Sequence, residues 1–460
     1  MIRFFNVYYP TRVVVLVLGE ALLVSACFLL AILLMLGPDD SYIVLNYEYG
    51  YLKVFGVTAL TLILSYYFDL YEPQIVSARK EIYFRVLLVL GFDCFILSAL
   101  LYWFPETALW HGRAYVVGFV LLIPAFLLWR RTFEWIVNLE QFRERIYVLG
   151  AGDFAKSIIA AIKARPDLGM EVVDWREIAA EHTERKPIWI EALKRLAERS
   201  KPVHRIIIAM ESQRGELPVE ELLALRFQGI AVEEVGALRE RLSGKIQLDG
   251  LRASSFLYSE GFRIRSSQQF TRRVISMCAA AAGLAICLPF IPIIMLMVRC
   301  SSKGPIFFRQ TRVGVGGATF NVIKFRTMYT DAEVEGAQWA TKNDPRVTKI
   351  GMFMRKTRLD EIPQLWNILR GDMDFVGPRP ERPEFIPMLS ENLPFYYLRH
   401  LIRPGLTGWA QIRYGYGATL AETKEKLEYD LYYLKHMSLG LDLFVMFETI
   451  KTIIRRRGAQ

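Results

Sequence analysis

Residues 274–298 carry no charge, yet basic clusters stand on both sides of them. A bilayer's hydrocarbon core needs ~20 apolar residues in a helix, so this run is long enough to cross one. Arg263, Arg265, Arg272 and Arg273 precede it, and Arg299, Lys303, Arg309 and Arg312 follow. Positive flanks favour the cytoplasmic side, so a simple crossing would strand one basic flank on the unfavoured side. Pro289 and Pro292 lie inside the run, where each lacks an amide hydrogen and can kink a helix. These features predict a helix that enters the membrane, bends near the prolines and leaves on the side it came from. The alternative is a fifth spanning helix with the C-terminal domain outside.

Four further apolar stretches, residues 13–36, 52–70, 82–104 and 114–129, occupy the first third of the chain. Each is near spanning length. The first connection carries Asp39, Asp40 and Glu48, whereas Arg79, Lys80 and Arg85 flank the second, and Arg130, Arg131, Arg143 and Arg145 follow the fourth span. The positive-inside rule then puts both ends of the bundle in the cytoplasm. No small-residue cleavage signature follows the first run, which reads as a retained anchor rather than a signal peptide. Asp69 and Asp93 read equally as functional carboxylates and as structural ones near span ends or against a partner helix.

The formal charge of +10 raises the question of nucleic acid. Lys and Arg gather instead beside apolar segments and in the tail at Arg455, Arg456 and Arg457, an arrangement suited to anionic headgroups and phosphorylated substrates. No basic stripe interleaved with aromatics is present, so nucleic acid is set aside. Cys27, Cys94, Cys278, Cys287 and Cys300 all lie in or beside apolar runs without a CxxC pair. Neither a disulfide framework nor a zinc site is expected.

From about residue 145 short apolar runs alternate with helical segments, the pattern of a parallel α/β sheet. Strands are predicted at residues 146–149, 172–173, 205–209 and 230–232, with helices near 190–199 and 218–227. Gly150-Ala151-Gly152-Asp153-Phe154-Ala155, with Asp174 further on, resembles a dinucleotide fingerprint. Only one truncated half of a nucleotide-binding sheet fits in this region. A degenerate, structural or regulatory domain therefore fits better than a bound NAD.

The densest chemistry lies downstream. In Leu359-Asp360-Glu361-Ile362-Pro363-Gln364-Leu365-Trp366-Asn367-Ile368-Leu369-Arg370-Gly371, Leu359, Ile362, Leu365, Trp366 and Leu369 recur at helical spacing and predict one apolar face. Asp360 would start that helix, accept bonds from free amides and stay ionised in the positive end of the dipole. Around it stand Lys324-Phe325-Arg326-Thr327-Met328, Arg355, Gly377-Pro378-Arg379-Pro380, Arg403-Pro404-Gly405 and Gly408-Trp409-Ala410-Gln411. Two adjacent carboxylates among cations on Pro- and Gly-fixed turns suit phosphoryl chemistry: one attacks phosphorus while the other holds a divalent cation. Arg offers bidentate contact to phosphate and Lys a point charge. Residues 439–454 read either as an interfacial amphipathic helix or as an ordinary core helix.

These motifs, with Lys303-Gly304-Pro305-Ile306-Phe307-Phe308-Arg309-Gln310 and Gly371-Asp372-Met373, resemble the bacterial sugar transferases, the polyprenyl-phosphate glycosyl-1-phosphate transferases. The resemblance covers roughly residues 265–460, and four N-terminal spans with a degenerate nucleotide-binding-like domain match the long form of that family. Tyr414-Gly415-Tyr416-Gly417-Ala418 is similar to a subgroup linked to exopolysaccharide production alongside exosortase systems. The resemblance implies that Asp360 is the nucleophile, forming a covalent phosphosugar intermediate and releasing UMP. It implies that Glu361 binds Mg²⁺, with Mn²⁺ as a substitute, and that Lys324, Arg355 and Arg379 surround the diphosphate and nucleotide. Arg326 and Gln411 join this substrate-binding set, and Pro289 matches the bend of a re-entrant helix. Asp430 reads equally as a functional residue and as a helix-surface acid. The expected substrates are a UDP-sugar and undecaprenyl phosphate, at the bacterial cytoplasmic membrane among its lipids, with a homodimer implied by the long form.

The expected layout is a four-helix transmembrane region (1–140), a Rossmann-like α/β domain (141–248), a linker (249–267), and a re-entrant helix with an α/β transferase domain (268–460). Two rival readings remain. An NAD-dependent nucleotide-sugar enzyme would use the Gly150 turn, but no Tyr-x-x-x-Lys pair accompanies it. A non-enzymatic scaffold of polysaccharide export would not require the paired carboxylates.

Overall fold

Among the described residues, Leu-, Ile-, Val- and Ala-rich sequence folds the first third into four helices: α1 (Thr11–Tyr47), α2 (Gly50–Tyr67), α3 (Arg79–Trp103) and α4 (Arg113–Val137). The structure is a computed structural model. It describes the chain outside residues 73–78, 105–112, 151, 174–188, 194–201, 211–216, 250, 252, 260, 331–343, 416–418 and 456–460. Asp174, Tyr416, Gly417, Ala418, Arg456 and Arg457 lie outside the described residues. The chain divides into two units, residues 8–238 with 1–2, and residues 239–460 with 3–7.

In the first unit α1 packs on α4 and α2, and α2 packs on α3. Val24, Phe28, Ile32, Val57, Val89, Leu122 and Phe126 form the shared core. Leu22, Phe55, Phe95 and Val120 point outward, as side chains bathed in lipid do. All four helices are long and apolar enough to cross a membrane, and so is the run Ser266–Ser301; the chain is a membrane protein. One expectation changes. The segment after Gly37 is not a loop: Pro38 opens a second helical stretch that carries Asp39 and Asp40 and is continuous with α1 apart from the break at Gly37. Proline is well placed there, since a first helical residue needs no amide partner.

The two acids singled out in the sequence have partners. Asp93 accepts a hydrogen bond from Thr61 of α2, and Asp69, in the turn after α2, lies 3.5 Å from Arg85. A third acid was overlooked. Glu20 of α1 is buried and takes bonds from Arg130 Nε (2.7 Å) and the Tyr71 hydroxyl (2.6 Å).

The same unit holds β1 (Glu144–Leu149), β2 (Met170–Val172), β3 (Arg205–Ile208) and β4 (Ala231–Glu234), all parallel in the order β2-β1-β3-β4. Helix α5 (Asp153–Lys163) follows β1, and α6 (Val219–Phe227) precedes β4. Gly150 has φ +149°, and a Cβ there would lie 2.3 Å from the Ala209 carbonyl. The chain's own close packing across the sheet accounts for that glycine.

In the second unit, α7 (Ser266–Cys287) and α8 (Ile291–Ser301) are joined by a 3₁₀ turn, Leu288–Phe290, that contains Pro289. An antiparallel hairpin follows, β5 (Phe307–Val313) with β6 (Thr319–Phe325), Phe308 opposite Lys324. Then come α9 (Lys349–Thr357), a 3₁₀ turn at Leu359–Glu361, α10 (Gln364–Arg370), the strand β7 (Asp374–Val376) and its parallel partner β8 (Gly405–Thr407), and α11 (Trp409–Arg413), α12 (Leu420–His436) and α13 (Leu439–Ile454). Two small cores tie the apolar run to this unit. Ala280 and Leu284 of α7 pack with Leu365 and Ile368 of α10, and Ile294 and Val298 of α8 pack with Phe325 and Met354. Residues 239–248, which the sequence groups with the middle domain, cluster here: the Ile246 amide bonds the Glu428 carbonyl and Lys245 pairs with Glu425.

Candidate active site

The carboxylate pair is positioned by three local decisions of the chain. Strand β6 ends at Phe325, which is buried beside Met354, and the alternation of the strand turns Lys324 the other way. Helix α9 then starts on Thr348, whose side chain accepts the Gly351 amide at 2.9 Å. A Cβ on Gly351 would come within 2.0 Å of the Thr327 carbonyl, so only glycine lets this helix lie against the end of the hairpin. That contact brings Arg355 Nε to 3.0 Å from Thr327 Oγ1. Finally Arg358 takes a left-handed backbone, φ 59° and ψ 15°, which closes α9 and turns the chain sharply into Leu359-Asp360-Glu361. For a residue with a Cβ that conformation costs about 1–2 kcal/mol, and such strain gathers at functional sites.

Asp360 is not the helix cap that its position in the sequence predicts. It sits in the 3₁₀ turn, α10 begins four residues later at Gln364, and no side-chain cap bond is made at either start. Its Oδ1 is buried without a hydrogen-bond partner. The apolar face also differs: Leu365 and Ile368 are buried, while Trp366 is 56% exposed. The 3₁₀ turn shifts the phase of the helix by enough to rotate Trp366 out.

Glu361 is the hub of the cations. Its Oε1 lies 3.1 Å from Lys324 Nζ, 2.9 Å from Arg379 Nη2 and 3.8 Å from Arg358 Nη1. Burial alone would raise the Glu361 pKa, but Lys324, Arg379 and Arg358 outweigh it and hold the carboxyl well below its ordinary range. Asp360 goes the other way. Burial, then the negative charge of Glu361, pushes it up to about 6 against the pull of Lys324, Arg355 and Arg358. Two adjacent acids are thus driven apart, one held ionised and one poised, the pattern expected where two carboxylates have different roles.

Arg379 follows β7 in the turn Gly377-Pro378-Arg379. Its carbonyl accepts a bond from Arg399 Nη2 at 2.9 Å, and Arg399, buried, pairs with Asp430 at 3.0 Å and bonds the Tyr396 hydroxyl at 2.6 Å. Asp430 therefore acts at one remove, by anchoring the residue that holds this turn. Arg312 of β5 also bonds the turn, at the Pro380 carbonyl (3.2 Å) and Glu381 (3.3 Å). Gln411 lies on α11, with its Oε1 buried and unpartnered; the start of α11 touches the same turn, since a Cβ on Gly408 would meet the Gly377 carbonyl at 2.2 Å.

Lys324, Arg355 and Arg379 are thus gathered around the pair, as the sequence predicts. Arg326 is not: it bonds the Ser302 carbonyl (2.6 Å) and hydroxyl (3.0 Å), tying the hairpin to the end of α8. Arg358, Arg312 and Arg399 escaped the sequence reading. Only Arg358 left a signal, its place two residues before Asp360; the other two reach the site through tertiary contacts alone.

The donor set fits a hard divalent cation. Asp360 offers an unpaired oxygen and all three cationic contacts of Glu361 fall on Oε1. Among the described residues no group of three or more His, Cys, Asp or Glu could enclose an ion. Mg²⁺ commonly takes one or two carboxylates and completes its shell with water and substrate phosphates.

Residues 267–456 match the family described as Bacterial sugar transferase. The chain is 38% identical over 232 residues to the UDP-N-acetylgalactosamine-undecaprenyl-phosphate N-acetylgalactosaminephosphotransferase of Aeromonas hydrophila, a match covering 50% of this chain and 54% of that protein. It therefore spans about half the length of that relative. It is 32% identical over 330 residues to the UDP-glucose:undecaprenyl-phosphate glucose-1-phosphate transferase of Escherichia coli (strain K12), covering 69% of each. The protein of the same description from Klebsiella pneumoniae is 28% identical over 388 residues, 83% of this chain and 82% of its own.

Proposed function

From the premise that the chain belongs to the bacterial sugar transferase family, we propose that it moves a hexose-1-phosphate from a UDP-sugar to undecaprenyl phosphate. That transfer would start a surface or exported polysaccharide. The observation that carries the reading is the buried carboxylate pair, Asp360 with an unpartnered oxygen and Glu361 held by Lys324, Arg379 and Arg358.

In the first displacement an Asp360 oxygen forms a bond to the sugar-bearing phosphorus. The bond from that phosphorus to the bridging oxygen breaks, and UMP leaves with the bridging oxygen and its electron pair. In the second, an oxygen of undecaprenyl phosphate attacks the same phosphorus, the Asp360–phosphorus bond breaks, and the carboxylate is restored. Splitting the transfer means that the two substrates need not be bound together. A carboxylate attacking an anion meets charge repulsion, which Lys324, Arg355, Arg358 and Arg379 offset. A bound Mg²⁺ would supply further positive charge to the phosphoryl oxygens; Glu361 would hold it.

The lipid acceptor requires the site to lie at headgroup depth. Straight, a helix from residue 266 to 301 would extend ~54 Å at 1.5 Å per residue. Yet Ala280 and Leu284 on one arm, and Ile294 and Val298 on the other, pack on the same small unit, while Leu288, Phe290, Ile293 and Leu296 around the turn are exposed. Both facts support a re-entrant hairpin whose tip dips into lipid from the cytoplasmic face. The exposed Trp366 and Phe353 suit the interface beside it. The four N-terminal helices anchor the chain in the cytoplasmic membrane, and the parallel sheet is read as a Rossmann-like domain of structural or regulatory use.

The test supplies purified enzyme with undecaprenyl phosphate and a panel of UDP-sugars and measures UMP and the lipid diphosphate-sugar. One sugar is expected to give both products, EDTA to stop the reaction and Mg²⁺ to restore it. Failure of every sugar to release UMP overturns the proposal.

A pH dependence follows from the site. The nucleophile must be ionised, so the rate should fall as pH drops through about 6, the raised value of Asp360. Lys324 favours the charged carboxylate, so Lys324→Ala should move that limb to higher pH. An unmoved limb in Lys324→Ala would contradict the assignment of the titrating group.

A further inference from the structure

One buried side chain beside the nucleophile has no role in the account above. Gln364, the first residue of α10, is 4% exposed, and its Nε2 is buried without a hydrogen-bond partner. A buried amide donor left unpaired carries its full desolvation cost, which makes such groups rare in native proteins and each one in want of a reason.

The fold around it can satisfy an amide. One turn further along α10, Asn367 is fully buried, and both ends of its amide are used: Oδ1 accepts the Ile323 amide at 3.0 Å, and Nδ2 donates to the Asn321 carbonyl at 2.8 Å and to Asp372 at 3.1 Å. Those bonds turn the face of α10 that carries Asn367 toward β6, the strand that also carries Lys324. Asp360, Glu361, Gln364 and Asn367 are all buried, whereas Trp366 is exposed. The turn from Arg358 to Trp366 is continuous, with Glu361 bonding back to Arg358, Ile362 to Leu359, Leu365 to Ile362 and Trp366 to Pro363. Gln364 therefore follows Asp360 by four residues along one unbroken run of turns, which keeps the two close in space.

An unpaired donor and an unpaired acceptor, Gln364 Nε2 and Asp360 Oδ1, are thus buried a turn apart without bonding each other. A group that met both would accept a hydrogen bond on one side and face a carboxylate oxygen on the other. A phosphoryl group does both, offering oxygens to the amide and phosphorus to the carboxylate. We infer that Gln364 is a further catalytic residue, donating its Nε2 hydrogen to a non-bridging oxygen of the phosphoryl group transferred to and from Asp360. The inference rests on the transfer reading proposed above. In each displacement negative charge builds on that oxygen, so the bond strengthens in the transition state more than in the bound substrate, which lowers the barrier rather than tightening binding.

The experiment measures single-turnover UMP release from the UDP-sugar identified by the panel, together with KM and thermal midpoint, in Gln364→Met, Gln364→Glu and Asp360→Asn. Gln364→Met keeps the length and removes the amide. It should slow UMP release ~100-fold with KM little changed, and its midpoint should stay level or rise, because an unsatisfied donor has been removed. Gln364→Glu should be slower still, because the added negative charge repels the phosphoryl oxygens. If Gln364→Met releases UMP at the wild-type rate while Asp360→Asn is dead, the Gln364 assignment falls and the transfer reading stands. The assignment also falls if Gln364→Met loses stability but keeps its rate per folded molecule, the signature of a packing role. If Asp360→Asn turns over like the wild type, the transfer reading itself fails and takes the role of Gln364 with it.

Discussion

Asp360→Ala should lose at least about 10³-fold in UMP release, because removing the proposed nucleophile leaves only binding and charge stabilisation behind. The loss should appear in the first half of the reaction, with UDP-sugar alone, and equally in transfer to the lipid. Folding should survive. Asp360 Oδ1 is buried without a partner, and the carboxyl is raised by its burial and by Glu361, so truncation removes an unfavourable group from the fold. A variant that is dead yet as stable as the parent, or more so, is the expected combination. A simple N-cap aspartate would behave in the opposite way, with stability reduced by about 1 kcal/mol and activity retained.

The second large effect is on stability. Arg272 of α7 is 3% exposed and meets Asp442 Oδ2 through Nε at 2.5 Å, the Val376 carbonyl through Nη2 at 3.0 Å, and the Tyr433 hydroxyl. It joins the membrane helix to α13, to α12 and to the strand that leads into Gly377-Pro378-Arg379. Arg272→Ala leaves the buried Asp442 carboxylate without a counter-charge, held only by the Tyr433 hydroxyl at 2.6 Å, and should cost about 3–5 kcal/mol. Thermal unfolding in detergent reads this directly. Replacing both charges, Arg272→Met with Asp442→Leu, should be far milder than either single change, because no uncompensated charge remains. Equal loss in the single and double variants would contradict that explanation and point to lost packing instead.

Most of the architecture could be read ahead of the structure because lipid and sheet impose simple patterns. Side chains that face lipid must be apolar whatever lies inside, so the four spans are visible as hydropathy alone. The central strands β1 and β3, largely buried, show as short apolar runs for the same reason. What periodicity could not show was the helix after Gly37, where Pro38 restarts the helix with Asp39 and Asp40 on it, nor the 3₁₀ turn that moves Trp366 outward.

The site divides along a similar line. The gathering of Lys324, Arg355 and Arg379 about Asp360 and Glu361 was legible because the proposed phosphoryl chemistry restricts residue type and the Pro- and Gly-rich settings restrict geometry. Arg326 shares the motif of Lys324, but at the end of the hairpin its bond to Ser302 decides its direction. Arg399 was not legible, since its part depends on meeting both Asp430 and the Arg379 carbonyl. Gln364 stood in plain view within a helical motif; only the missing partner of its amide distinguishes it from Asn367 three residues on.

The most direct measurement is mass spectrometry of the enzyme quenched after exposure to UDP-sugar without undecaprenyl phosphate. One hexose-phosphate per chain is expected, on the peptide that carries Asp360, discharged when undecaprenyl phosphate is supplied. UMP released with no adduct on the chain, or an adduct on any other residue, would contradict the proposed mechanism.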